Sequence, residues 1–104
     1  MQKGEIWWVD FPAPIGRRPA LLLSRNAAYG IRTSVTVAAV TSTVRHNLAE
    51  VNLGTQDGMT RDCAVNLDEI HTISKVKITD KMTTLSDDKM RAVDTAIKYT
   101  LDLG

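Results

Sequence analysis

Most of this chain consists of short runs of β-branched, aromatic and aliphatic residues that are separated by Gly, Pro and Asp turn residues. Such runs are typical of β-strands, because their side chains suit a pleated, half-buried surface. In the run from Val35 to Thr41 both alternating faces are largely apolar, which predicts a strand at the centre of the sheet. The predicted strands cover residues 4–10, 20–24, 35–41, 49–53 and 63–67, with further pieces at 70–73 and 81–84.

From Ser86 onward the apolar residues recur every three or four positions, as on one face of a helix. Ser86 is a suitable N-cap, and Asp87 and Asp88 follow in the first turn, where carboxylates interact favourably with the helix dipole. The pattern predicts a helix over residues 87–102. Roughly five to seven strands and one helix favour a mainly β (α+β) fold, an SH3-like small barrel of bent antiparallel strands with a C-terminal helix.

The charged residues are distributed unevenly along the chain, although the net charge is only +1. Residues 11–49 contain no Asp or Glu, whereas eight of the twelve acidic residues lie in residues 62–104. A local excess of arginine indicates a polyanion as the partner and the first half of the chain as the binding face. The arginines of this acid-free stretch are Arg17, Arg18, Arg25, Arg32 and Arg45.

Length and composition restrict the remaining possibilities. With 104 residues, of which 43% are apolar, we expect a single domain over residues 1–104. Cys63 is the only cysteine, which excludes an internal disulfide, and His46 and His71 do not complete a zinc site with it. No phosphate-loop motif is present, and the longest apolar runs are too short to span a bilayer. We therefore expect a cytoplasmic protein without a cofactor, a metal or a membrane-inserted segment.

Two polar steps lie at the ends of predicted strands: Arg-Arg-Pro at 17–19 and Thr-Ser-Thr at 41–43. Together they can bind a phosphate group, because a guanidinium presents a planar fork of donors and hydroxyls can bond to the same oxygens. In RNA the neighbouring 2′-hydroxyl is an internal nucleophile, so such a site can also cleave the chain without a metal. On spacing alone, a solvated turn and a strand end that satisfies backbone groups are the commoner explanations.

The adjacent Trp7 and Trp8 point to opposite faces of the first strand. We expect one of them in the core. The other is available to stack on a base or to fill a subunit interface.

Four segments occur in order along the chain: KGEIWWVDF, GRRPALLLSRN, TVAAVTS and TISKVKITDKMTTLSDDKM. Together they resemble the MazF/PemK family of toxin endoribonucleases from bacterial toxin-antitoxin systems, and the match extends from Lys3 to Leu103. The resemblance implies an SH3-like barrel with a C-terminal helix, a homodimer, and metal-independent cleavage of single-stranded RNA. The implied products carry a 2′,3′-cyclic phosphate and a 5′-hydroxyl.

The resemblance also assigns roles to individual residues. The family's catalytic arginine, in its Arg-Pro step, matches Arg18, and the threonine that closes its central strand matches Thr41. Some relatives have an arginine where this chain has an asparagine at position 66, so a proton-transfer role is not carried over there. The implied RNA-binding residues are Arg17, Ser42, Thr43, Asn66 and Asp68.

One segment departs from the family pattern. The loop over residues 11–17 is shorter than in many relatives and lacks their Gly-Ser/His-Glu-Gln run. Because that loop helps to shape the family's RNA groove, we expect altered sequence specificity. A basic residue that some relatives use has no counterpart, and Arg17 is a candidate to replace it.

A cognate antitoxin is implied by the resemblance, with an acidic disordered tail that would fold across the basic groove and exclude RNA. The alternative is a toxin of the same fold that poisons DNA gyrase through the end of its C-terminal helix and cuts nothing. An inactive relative that only binds RNA or an antitoxin is a third possibility. Replacement of Arg18 separates the first two, since a gyrase poison would depend on residues 99–103 instead.

Overall fold

The computed structural model describes residues 1–104 and contains six β-strands, two α-helices and two short 3-10 turns. Neither helix has the length and apolar character needed to cross a membrane. The elements are β1 Glu5–Asp10, β2 Arg17–Leu22, α1 Ala28–Ile31, β3 Ser34–Thr41, β4 Glu50–Leu53, β5 Cys63–Ser74, β6 Ile78–Thr84 and α2 Asp87–Thr100, and the 3-10 turns are Thr55–Asp57 and Lys75–Lys77.

All six strands belong to one antiparallel sheet with the order β4-β5-β3-β2-β1-β6. Strand β3 lies inside the sheet between β5 and β2, as predicted. Irregularities in the pairing of β1 with β6 and of β3 with β5 bend the sheet strongly. The predicted fold class, mainly β with a small barrel of bent antiparallel strands and a C-terminal helix, is confirmed.

Separate apolar clusters cover the two faces of the sheet, and β3 contributes to both. Ala38 and Val40 pack in the cluster that also contains Val93 of helix α2. Val35 and Val37 pack in the cluster on the opposite face. Because both faces of β3 are buried, its two ends are held in place by the best-packed part of the molecule.

Helix α2 begins as predicted. The Ser86 hydroxyl accepts a hydrogen bond from the Lys89 N–H at 3.2 Å, which satisfies one of the free donors of the first turn. The helix ends at Thr100 rather than at residue 102, because Asp102 adopts a left-handed backbone conformation with φ 55°.

Other elements also differ from the sequence-based prediction, and β6 begins at Ile78 rather than at residue 81. Strand β2 begins at Arg17 instead of residue 20, because its pairing with β1 continues to the pair of Asp10 and Arg17. The strands predicted at 63–67 and 70–73 form the single strand β5, since pairing with β3 resumes beyond an irregularity. Helix α1 has four residues, too few to show a helical period in the sequence.

The loop that joins β4 to β5, residues 54–62, is fastened to β6 at the far edge of the sheet. The Thr83 hydroxyl donates to the Asp57 carbonyl oxygen at 3.0 Å. Gly58 adopts φ +89° directly over Thr83, and a Cβ on Gly58 would lie 2.3 Å from the Thr83 Oγ1. Met59 is 6% exposed and belongs to the core. This β4–β5 loop is therefore a fixed part of the fold, and it forms one wall of the cleft described next.

Candidate functional site

A cleft of about 360 Å³ opens where β2 begins and β3 ends. Its rim is cationic and rich in hydroxyl groups, its floor is apolar, and no Asp, Glu or His side chain lines it. The lining residues are Trp8, Arg17, Arg18, Pro19, Val40, Thr41, Ser42, Thr43, Met59, Thr60, Arg61, Cys63 and Met82. The two predicted steps at 17–19 and 41–43 therefore meet in one place.

The antiparallel register of β2 and β3 explains why these two steps meet. Ala20 pairs with Ala39, and the same register extended by two residues leads to Arg18 and Thr41. Both residues line the cleft. Since β2 and β3 are the central strands, the separation of the guanidinium and the hydroxyl is set by the sheet rather than by a mobile loop.

Arg18 is half-buried and forms no ion pair within the chain. Its guanidinium is permanently charged and presents its donors in a planar fork. An uncompensated cation in a partly enclosed cleft attracts an anion more strongly than one exposed to bulk water, because screening is reduced there. Arg18 is thus the principal unpaired charge of the central strands.

Arg17 differs from Arg18 because the chain already supplies its partners. Its guanidinium donates to Asp80 Oδ2 at 3.2 Å and to Thr79 Oγ1 at 2.9 Å. It also lies 3.6 Å from Asp10 Oδ1 and 4.9 Å from the centre of the Trp8 ring. The positive charge of Arg17 is therefore largely compensated at the rim of the cleft.

Thr41 has a structural role alongside any chemical one. Its hydroxyl oxygen accepts a hydrogen bond from the Thr43 N–H at 3.1 Å, which closes the turn after β3. Thr41 is half-buried, whereas Ser42 and Thr43 are exposed. Thr41 therefore satisfies a backbone group at the end of its strand, as one of the two sequence-based interpretations predicted. The same hydroxyl donates to the Thr43 carbonyl oxygen at 3.5 Å, a long hydrogen bond, so the hydroxyl would exchange this contact for one to a ligand oxygen.

Asn66 and Asp68 do not line the cleft. They lie in the irregular part of β5, where the Asn66 side-chain oxygen accepts from the Asp68 N–H at 3.0 Å. Asn66 is 8% exposed. Asp68 is exposed and accepts a hydrogen bond from Thr100 at the end of α2 at 3.4 Å.

The acid-free stretch of the sequence does not form one continuous surface. Arg17 and Arg18 lie at the start of β2, whereas Arg25 and Arg32 lie beyond its other end, before β3 begins. The density of arginine in the sequence therefore overstates the number of cations at the cleft.

Several residues of the cleft carry no signal in the sequence that assigns them to it. Trp8 of β1 lines the cleft. Alternation along the strand predicts that one of the two tryptophans lies outside the core, but it does not predict which one. Trp7 is the other and packs against a core cluster, as expected for one of the pair. Met59, Thr60 and Arg61 come from the β4–β5 loop, and no local signal in the sequence places that loop beside β2.

The pKa of the Cys63 thiol is raised, mainly because the thiol is buried. The positive charge of nearby Arg61 acts in the opposite direction. Cys63 is 5% exposed. A neutral, buried thiol is a poor nucleophile, so the cleft does not use Cys63 in the manner of a cysteine hydrolase.

This pKa predicts a loss of stability at alkaline pH. In the unfolded chain the thiol ionises at about pH 8.5, whereas in the folded chain it remains protonated at that pH. Above that pH the unfolded state binds fewer protons, so the free energy of unfolding falls as pH rises. We expect Cys63→Ala to flatten this fall above about pH 8.5 in urea unfolding. An equally steep fall in the variant would contradict the assignment.

The chain resembles known proteins over nearly its whole length. A family model described as "PemK-like, MazF-like toxin of type II toxin-antitoxin system" matches residues 2–101. The chain is 39% identical over 101 residues to the "Probable endoribonuclease MazF5" of Mycobacterium tuberculosis (strain ATCC 25618 / H37Rv), covering 96% of this chain and 92% of that protein.

Two solved structures are similar over nearly the whole chain. One is the Mycobacterium tuberculosis toxin MazF-mt6, with a TM-score of 0.89, 28% identity and coverage of 96% of this chain and 98% of that one. The other is an endoribonuclease in complex with its cognate antitoxin from Mycobacterial species, with a TM-score of 0.88, 26% identity and coverage of 100% and 97%.

Proposed function

We propose that this chain, which belongs to the family of PemK-like, MazF-like toxins of type II toxin-antitoxin systems, uses the cleft between β2 and β3 to cleave single-stranded RNA. The protein is an endoribonuclease of the MazF type. The observation that carries the assignment of the site is the meeting of Arg18 and Thr41 in a cationic cleft without carboxylates.

The reaction requires few groups from the protein. The ribose 2′-oxygen attacks the adjacent phosphorus and loses its proton, the bond from phosphorus to the 5′-oxygen breaks, and that oxygen gains a proton. The products are a 2′,3′-cyclic phosphate and a 5′-hydroxyl. Because the nucleophile belongs to the substrate, positioning it in line with the leaving oxygen provides much of the acceleration.

Arg18 and Thr41 then act on the phosphate. The guanidinium of Arg18 stabilises the negative charge that grows on the phosphate oxygens in the transition state. The hydroxyl of Thr41 donates to one of these oxygens and fixes the orientation of the group. Since the cleft supplies fixed positive charge and no carboxylate ligands for a divalent ion, we propose that cleavage is metal-independent.

RNA binding extends from this pair to the rim. Ser42 and Thr43 are exposed next to Thr41 and can donate to phosphate or ribose oxygens. Arg17 contributes less than Arg18, because Asp80 and Asp10 already compensate its charge.

RNA contact by Asn66 and Asp68 stays a prediction. Asp68 offers an exposed carboxylate outside the cleft, whereas Asn66 is buried and bonds to the backbone of its own strand. An RNA longer than the cleft would have to run along β5 toward the end of α2 to reach Asp68.

The remaining assignments concern partners. We propose a cognate antitoxin that covers the cleft with an acidic segment, which is supported by the family description and by the antitoxin complex of a similar endoribonuclease. The homodimer implied by the resemblance and the cytoplasmic location expected from the composition stay predictions. Light scattering of the purified protein measures the oligomeric state. Gyrase poisoning is not favoured, because a relative covering 96% of the chain is named an endoribonuclease.

The test is incubation of the purified protein with long single-stranded RNAs in EDTA, followed by mapping of the fragment ends. We expect discrete cuts that end in a cyclic phosphate, and no cuts with a folded Thr41→Ala variant. Absence of cleavage by the folded wild-type protein on several RNAs would overturn the proposal, and the next assay would then be DNA supercoiling.

A further inference from the structure

A second unpaired guanidinium, that of Arg61, lines the same cleft and comes from the β4–β5 loop rather than from β2 or β3. Arg61 is exposed and forms no ion pair within the chain. The proposed cleavage reaction uses one phosphate and leaves this cation without a function. The adjacent Thr60 adds a hydroxyl to the same wall.

Arg61 is presented from a fixed position. The Asp57 side chain accepts from the Gly54 N–H at 2.9 Å, and the Asp57 carbonyl oxygen accepts from Thr83. Met59, two residues before Arg61, is buried in the core. Because the loop is already ordered, binding through Arg61 requires immobilising only its own side chain.

The charges around the cleft favour an anion at this wall. Arg17 already has ion-pair partners in Asp80 and Asp10, so the unpaired cations of the cleft are Arg18 and Arg61. Two unpaired cations that come from different elements of the cleft match two negative groups better than one. In RNA, phosphates follow one another along the chain, and a neighbour of the scissile phosphate is the nearest second anion.

We propose that Arg61, assisted by Thr60, forms a second phosphate subsite that binds a phosphate next to the one held by Arg18. Arg61 is thus a positioning residue: it holds the RNA so that the scissile group lies at Arg18 and Thr41. This inference rests on the proposed RNA cleavage. The substrate must then carry a charged phosphate at the neighbouring linkage, because an RNA that lacks this charge would bind less tightly.

The experiment combines protein and RNA variants. Short RNAs that carry a 2′-deoxy nucleotide at the cut position stay intact, and a neutral methylphosphonate replaces the phosphate one linkage before or one linkage after that position. Their Kd values are measured by fluorescence anisotropy with wild-type protein, Arg61→Ala and Arg61→Lys. Arg25→Ala is the matched control, because Arg25 is also exposed and unpaired but lies at the other end of β2.

We expect Arg61→Ala to weaken binding about tenfold, as for one charge-assisted hydrogen bond, with partial recovery in Arg61→Lys. One of the two methylphosphonates should weaken wild-type binding by a similar factor and have no further effect on Arg61→Ala. The slope of log K against log salt should become shallower by about 0.7, the contribution of one phosphate on a single strand. Arg25→Ala should bind like the wild type.

Equal losses from the methylphosphonate in wild-type and Arg61→Ala proteins would overturn the subsite, and so would unchanged binding by Arg61→Ala. Neither result affects the proposed nuclease, which is tested by cleavage of unmodified RNA. Conversely, failure to cleave would overturn the nuclease but leave the binding comparison valid.

Discussion

Replacement of Arg18 by Ala is expected to lower the rate of RNA cleavage about 10²–10³-fold, the effect of removing one preorganised donor to a developing negative charge. The loss should appear mainly in kcat, because the phosphate gains charge only as the transition state forms. The folded state should be little affected, since Arg18 forms no ion pair within the chain. Single-turnover cleavage of a defined RNA at saturating protein measures this rate.

Two further variants make the result specific to the guanidinium fork. Arg18→Lys keeps the charge but loses the planar pair of donors, so its rate should lie between those of the wild type and Arg18→Ala. Arg25→Ala removes an exposed arginine at the opposite end of β2 and should cleave normally. If Arg18→Ala retained more than about a tenth of the activity, a role for Arg18 in stabilising the transition state would be refuted.

Replacement of Gly58 by Ala is expected to lower the free energy of unfolding by about 2–4 kcal/mol, from backbone strain and steric overlap together. Gly58 has φ +89°, a conformation that side chains rarely adopt, and its new Cβ would meet Thr83 Oγ1 at 2.3 Å. The Thr83 hydroxyl also bonds to the β4–β5 loop, so the overlap would push the loop from its anchor. Urea unfolding measures the stability loss.

Gly16→Ala is the matched control for Gly58→Ala. Gly16 has φ +72°, yet nothing lies within 4 Å of the Cβ that it would gain. It should therefore show the backbone strain alone, about 1–2 kcal/mol. If the two variants lost the same stability, the contact with Thr83 would not hold the loop. A shifted loop should also weaken RNA binding, because Arg61 moves with it.

Much of the fold could be predicted because local patterns in this chain agree with the tertiary structure. Strand β3 carries apolar residues on both faces, and it lies at the centre with both faces buried. Ser86 has the cap chemistry and begins α2. The break predicted between residues 67 and 70 is absent from β5. Asp68 and Glu69 lie where the pairing of β5 with β3 is irregular, and not in a turn. Polar residues in a bulge and in a turn look alike in sequence.

The candidate site was predictable to the extent that it follows strand register. Arg18 and Thr41 are each at the end of a recognisable strand, and antiparallel pairing brings them together. Arg61 could not be placed in this way, because its loop reaches the cleft through the curvature of the whole sheet. The partners of Arg17 could not be predicted either, since Asp80 lies 63 positions away in the chain.

The sheet holds the residues of the cleft with unequal rigidity, because some come from central strands and others from an edge. Arg18 and Thr41 extend from the central strands, whereas Arg61 extends from a loop beside β4, an edge strand. The loop is held by a few contacts, chiefly that of Thr83 with Asp57, whereas the central strands are held by hydrogen bonds and packing on both sides. A lineage of such proteins can therefore alter the loop, and with it the RNAs that are held, without moving the proposed catalytic pair.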